Sequence, residues 1–233
     1  MTTSIPTASE TLIAALEALN DANLHFVVLR NHEGLPYNWS NDIDILVDPA
    51  TLEQAHNIIL AAIQQAPANR SVEVMRRLNF RATRLTCADR ELQIDLYSQM
   101  SKAWVTYADT KAILHARQSV HSLFSVPDPT HEALLIAAKE LFSYREIRQR
   151  YHSKLAKYDT QQAKVSAKLI FGSYLSANGR NLVVKALKDP RVKGFPSLTT
   201  RTLLDLGAAT RWARMRKNVW VNPQLCSAKR RVN

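Results

Sequence analysis

Residues 26–48 read FVVLRNHEGLPYNWSNDIDILVD: an apolar run, a polar loop, and a second apolar run entered through two aspartates. Side chains of an extended strand alternate between its two faces, so Asp42 and Asp44 share one face while Ile43, Ile45 and Val47 take the other. Two carboxylates held side by side repel unless a positive charge lies between them, and hard oxygen donors of this kind suit a divalent cation such as Mg²⁺. The plainer alternative is a half-buried strand with its carboxylates in water. The context favours a site. The first apolar run ends in Leu29-Arg30-Asn31, a loop with Gly34, Pro36 and Ser40 follows, and a later stretch, Leu92-Gln93-Ile94-Asp95-Leu96, places Asp95 on one face with Gln93 and Tyr97. Three carboxylates are expected to converge.

Outward from this stretch, 233 residues that are 46% hydrophobic can bury the core of one domain or two small ones. The longest apolar runs, Ile58 to Ile63 and Ala133 to Ala138, fall far short of the roughly 18–20 residues a membrane span needs. The opening MTTSIPTASE has no secretory pattern, so a cytoplasmic protein is expected. Cys87 and Cys226 lack zinc-site spacing and fit reduced thiols, with no disulfide-linked partner. The seven histidines show no metal-ligand spacing, and five glycines in all leave no Gly-rich phosphate loop. The net charge of +11 divides into −5 over residues 1–100 and +16 over 101–233. The acidic half carries the carboxylates, and the basic half suits phosphate.

Along the chain, Ala8 to Ala22 reads as an amphipathic helix, with Thr7 and Glu10 as a capping box. Phe26 to Leu29 and Asp42 to Val47 are strands, and a helix runs from Asp48-Pro49 to about Gln65. Three strands follow, Val72 to Leu78, Phe80 to Cys87 and Glu91 to Ser98, the last two joined by a short antiparallel turn at Ala88-Asp89-Arg90. Trp104 to Leu123 is mixed, and Val126 to Thr130 is a boundary. Beyond it, helices are expected over Thr130 to Tyr144, Ser143 to Tyr158 with a break, Ala163 to Ala177 closed by Asn178-Gly179, Asn181 to Lys188, and Thr199 to Val219. The expected fold class is α+β: a small mixed β-sheet with helices on one side over residues 1–125, then a basic α-helical domain over 126–233.

The order of helix, strand ending in a polar turn, Asp-x-Asp strand, helix and later strand with a third aspartate resembles the DNA polymerase beta-like nucleotidyltransferase superfamily. LRNHEGLPYNWSNDIDILVD resembles more closely a branch of small bacterial nucleotidyltransferase-like proteins associated with surface polysaccharide synthesis. The likeness covers residues 8–98 and, more loosely, 127–158. It implies transfer of a nucleoside monophosphate from a nucleoside triphosphate to an acceptor hydroxyl or phosphate, such as a sugar or polysaccharide precursor. Asp42, Asp44 and Asp95 would be the catalytic metal ligands for two Mg²⁺ ions, with Mn²⁺ a substitute. Where the superfamily has Gly-Ser after the first strand, this chain has Arg30-Asn31, a guanidinium and an amide that can also hold phosphate oxygens. Ser40 stands just before the aspartates. Lys139, Arg148 and Tyr151 are further candidates for the nucleotide, the last two with Lys154 on one helical face.

Two rivals remain at this stage. An Asp-x-Asp glycosyltransferase would use a nucleotide sugar, but in that family's common pattern the apolar strand precedes the aspartates, and here it follows them. A non-catalytic protein would keep a degenerate site and bind through its basic half. The tail Arg211 to Arg231, with Trp212 and Trp220 among seven cations and no acid, suits RNA or an anionic membrane surface, including peripheral placement at the inner membrane; a solvated helix and a frayed end are the alternative.

Overall fold

The structure is a computed structural model that describes residues 5–39, 42–64, 72–102 and 105–193, with the backbone alone at 229–232. In chain order the elements are α1 (Ala8–Asp21), β1 (Phe26–Val28), β2 (Ile43–Val47), α2 (Leu52–Gln64), β3 (Val72–Arg77), β4 (Phe80–Thr86), β5 (Glu91–Tyr97), β6 (Met100–Lys102), β7 (Val105–Ala108), α3 (Thr110–His115), β8 (Gln118–His121) and β9 (Phe124–Val126). Then come α4 (Pro129–Tyr144), a 3₁₀ turn Gln149–Tyr151, α5 (His152–Leu155), α6 (Thr160–Phe171), α7 (Ala177–Lys188) and β10 (Lys229–Val232). The chain is α+β, as the sequence predicts. Its contacts group into two units: residues 1–98, 117–127 and 223–233 in one, 99–116 and 128–222 in the other.

The first unit is a six-stranded sheet in the order β1-β2-β5-β4-β3-β10. Only β2 and β5 run parallel; the other neighbours are antiparallel. One face carries Ile43, Ile45, Val47, Leu92, Ile94, Leu96, Val72, Val74 and Leu85 into a core shared with α1 and α2. α1 begins as its sequence dictates: Thr7 Oγ1 accepts from the Glu10 amide at 3.2 Å, and the Glu10 carboxylate accepts from the Thr7 amide at 2.7 Å. These two bonds use amide donors that a helix start leaves without intrahelical partners. α2 packs through Leu52, Ala55, Ile59 and Ile63, and through His56, fully buried with Nε2 3.3 Å from Thr83 Oγ1. Burial first, and then the nearby Arg76 charge, push His56 down to about 4, so it stays neutral in the core.

In the second unit α4 is capped by Asp128, whose Oδ1 accepts from the Thr130 and His131 amides at 2.9 and 3.2 Å, with Pro129 in the first turn. It packs against α6 and α7.

Three expectations are corrected here. The Tyr144 to Lys154 stretch is not one helical face, because Arg145 takes a left-handed φ of 63° and ends α4. Asn178-Gly179 does not close a helix: Ser176 caps α7, its Oγ accepting from the Gly179 amide at 3.1 Å, so the pair lies in a first turn. The frayed end gives way to β10, which pairs antiparallel with β3 from Lys229↔Met75 to Val232↔Val72. The expected helix Thr199 to Val219 lies outside the described residues.

Candidate functional site

The carboxylates meet because the apolar face leaves them no choice of side. Ile43, Ile45, Ile94 and Leu96 are pinned in the core, and a slip of one residue would turn them all out, so the register Asp44↔Asp95 is strongly specified. Across the other edge of β2, the Leu29 amide donates to the Asp44 carbonyl at 2.9 Å. One carboxylate oxygen from each of Asp42, Asp44 and Asp95 lies within 4.8 Å of the others. Asp44 and Asp95 are 3% and 5% exposed, and Asp42, just ahead of β2, is half-buried.

The loop that delivers Asp42 is anchored. The Tyr37 and Asn38 amides donate to the Gly34 carbonyl at 3.1 and 2.7 Å, closing a turn in which any Cβ at position 34 would strike the Asn38 carbonyl. The Arg90 guanidinium lies 3.7 Å over the Trp39 ring and donates to the Trp39 and Tyr37 carbonyls, both at 3.3 Å, tying the loop to the β4–β5 turn.

Electrostatics around the three acids are uneven. Arg30 Nε donates to Asp44 Oδ2 at 2.6 Å. Gln93 Nε2 donates to Asp95 Oδ1 at 2.9 Å, and the Gln93 amide is itself oriented by Arg84, which donates to its Oε1 through Nε and Nη2 at 3.1 and 2.7 Å. Burial is the main force on Asp95; opposed by the Gln93 bond and aided by the Asp42 and Asp44 charges, it pushes the carboxyl up to about 6. Burial, then the charges of Asp44 and Asp95, also hold the Tyr97 phenol well above its ordinary range.

The other predicted residues fall in several places. Arg30 is beside the aspartates, engaged with Asp44 rather than open to solvent. Asn31 is exposed, with a left-handed φ of 54° that asparagine tolerates better than most residues, and it turns the chain out of β1. Ser40 lies outside the described residues. Lys139, Arg148 and Tyr151 belong to the second unit. There Arg148 clasps Glu140, whose side chain is fully buried, through Nε to Oε2 at 2.6 Å and Nη2 to Oε1 at 2.7 Å, with the Tyr144 ring 3.7 Å from the guanidinium. Lys154 pairs with the nearly buried Glu132 at 2.7 Å.

Gln93 and Arg84 are site residues beyond those expected from the sequence, although strand alternation does put Gln93 on the face of Asp95. The legible signal was the alternation that sets Gln93 two residues before Asp95; the pairing of Arg84 with Gln93 across β4 and β5 needs the register.

The donor set fits a hard divalent ion. Oxygens bound at about 2.1 Å to one Mg²⁺ lie up to about 4.2 Å apart. A spread within 4.8 Å is therefore close to a shared ion's reach. Among the described residues no helix is long and apolar enough to cross a membrane.

Comparison with protein-family models and with curated proteins finds no match. Among solved structures, the chain is similar to a candidate nucleotidyltransferase from H. pylori, at 12% identity and a TM-score of 0.35, over 77% of this chain and 90% of the other. It is also similar to terminal uridylyl transferase 4 from Trypanosoma brucei, solved with bound GTP, at 12% identity and a TM-score of 0.30, over 99% of this chain and 73% of that one.

Proposed function

We propose that the chain is a divalent-metal-dependent nucleotidyltransferase, moving a nucleoside monophosphate from a nucleoside triphosphate to an acceptor hydroxyl or phosphate. The observation that carries this reading is the convergence of Asp44 and Asp95, both buried on the parallel strands β2 and β5, with Asp42 just ahead of β2. A fold gains nothing by burying like charges side by side, and such clusters mark sites where a cation belongs. Mg²⁺ is the ion of choice for oxygen donors and phosphate; when bound it neutralises the triphosphate and lowers the pKa of the acceptor hydroxyl.

In this reading Asp42 and Asp44 ligate and orient, and Asp95 completes the ligand set. The carboxylate of Asp95, beside Asp42 and Asp44, is also the group placed to take the acceptor's proton. Gln93 holds its Oδ1, leaving the second oxygen for that work. Little other side-chain chemistry is needed, because phosphoryl transfer depends mostly on positioning and charge neutralisation. Arg30 and Asn31 take the place of a phosphate-binding turn, while the basic second half of the chain suits phosphate-bearing partners. A sugar or polysaccharide precursor is the proposed acceptor class. The setting is cytoplasmic, with RNA or an anionic membrane surface as partner of the basic half.

Incubation with nucleoside triphosphate, Mg²⁺ and a panel of sugar, sugar-phosphate and RNA acceptors should release pyrophosphate, and Asp44→Asn should reduce the release by at least about 100-fold. Nucleoside diphosphate released from a nucleotide sugar would favour glycosyl transfer instead. No pyrophosphate from any acceptor, with no Mg²⁺-dependent thermal shift by nucleotide, would overturn the proposal.

A further inference from the structure

The feature that the nucleotidyl-transfer reading leaves unexplained is a cation already seated on the carboxylates. Arg30 stands one residue beyond Leu29, whose amide is bonded to the Asp44 carbonyl, so the main chain brings the arginine beside Asp44. Its Nε meets Asp44 Oδ2 at 2.6 Å, and the two side chains are only 13% and 4% exposed. Arginine cannot shed its proton, so this guanidinium must stay against an anion, and the buried Asp44 needs a cation just as much. The same Asp44 stands beside Asp95 in register and is two residues from Asp42, at the centre of the cluster. A divalent ion shared by the three would have to draw on Asp44 while a fixed positive charge lay a few ångströms away, and the two cations would repel.

We infer that Arg30 is the resident counter-cation of the carboxylate cluster, displaced jointly by a divalent ion, which takes Asp44, and by a nucleotide's phosphates, which take the guanidinium. The inference rests on the metal-site reading above and adds a coupling to it. Phosphate offers a guanidinium paired acceptor oxygens in a geometry matched to its donors, so Arg30 loses one anion only where another is supplied. Metal alone is then held weakly, metal and triphosphate tighten each other, and the coupling is reciprocal. The departure from Gly-Ser at residues 30–31 thereby acquires a use: the turn guards the acids when no nucleotide is present.

The test uses the full chain and Mn²⁺, whose free concentration is read by electron paramagnetic resonance, with and without an α,β-methylene triphosphate. In the absence of nucleotide, Arg30→Gln should bind Mn²⁺ tighter than the unaltered protein by on the order of 10-fold. The analogue should tighten Mn²⁺ binding to the unaltered protein and add much less in Arg30→Gln. Equal or weaker Mn²⁺ binding by Arg30→Gln, with the unaltered protein binding and Asp44→Asn not, would overturn the Arg30 role and leave the metal site standing. No Mn²⁺ uptake by the unaltered protein, with or without analogue, would overturn both. Should Arg30→Gln fail to fold, the assigned Arg30 Nε–H resonance of the unaltered protein answers instead. It should shift when Mg²⁺ and the analogue are added together, and a resonance unmoved at saturation of both would overturn the inference.

Discussion

Asp95 is the residue on which the chemistry and the stability of the fold pull in opposite directions. Its carboxyl, ordinarily near 3.8, is pushed up to about 6 by burial and by two neighbouring acids. The unfolded chain gives up this proton near 3.8 and the folded chain keeps it to about 6, so the group stabilises the metal-free fold most below 3.8, and that contribution is lost as pH rises through 6. Above that window the ionised Asp95 is a cost. Asp95→Asn keeps the shape and an acceptor for Gln93 while removing the charge, so the metal-free variant should be more stable than the unaltered chain at pH 8 by about 2 kcal/mol, with nearly equal stability at pH 4, and with activity lost. Urea midpoints of both proteins across this range are the measurement. His56 works in the other direction, since its neutral burial is lost as pH falls from 6.5 toward 4, but it is common to both proteins and drops out of the difference. A variant no more stable at pH 8 would mean that Asp95 carries no such strain.

Among the elements, the segment after α4 shows how a sequence pattern can suggest a ligand contact where the fold uses the residues for packing. Arg148 and Tyr151, with Lys154, look like a stacking and phosphate-binding face on a continuing helix. Instead, the left-handed turn at Arg145 brings Arg148 back onto Glu140, a carboxylate with no exposure, and Tyr144 covers the guanidinium. Removing one partner of a buried pair strands the other charge. Arg148→Ala should therefore destabilise the chain by about 3 kcal/mol, and Glu140→Gln combined with Arg148→Met should recover much of that loss. Thermal or urea unfolding decides it. A single variant as stable as the unaltered protein would release Arg148 for a ligand.

For the molecule as a whole, charge is the feature that spans it: −5 in the first hundred residues and +16 in the rest. A surface of that sign should hold polyanions by releasing their counterions, so affinity for RNA or for vesicles containing anionic lipid should fall by about 100-fold or more between 50 and 200 mM salt. A flat response would remove both partners. Truncation is a poor way to test the tail, because Lys229–Val232 form the strand that extends the sheet beside β3. Replacing Arg211, Arg214, Arg216 and Lys217 with glutamine keeps that strand and should flatten the salt dependence, as measured by fluorescence anisotropy or vesicle co-sedimentation.

By itself the sequence determined what periodicity and local chemistry can encode. The alternation in Ile43–Val47 and Glu91–Tyr97 sorts aspartates from core residues, Thr7 with Glu10 and Asp128 with Pro129 start their helices, and the Ala88-Asp89-Arg90 turn makes an antiparallel pair. These signals sit within a few residues of one another, where strand pleat and capping geometry act. Only the tertiary structure decided which strands lie side by side, and hence that Asp44 stands against Asp95, that Arg84 orients Gln93, that Arg30 sits on Asp44, and that Arg148 belongs to Glu140. Those partners are set by the burial of whole faces and by chain turns at Asn31 and Arg145, and no local pattern specifies which distant charge a buried one will find.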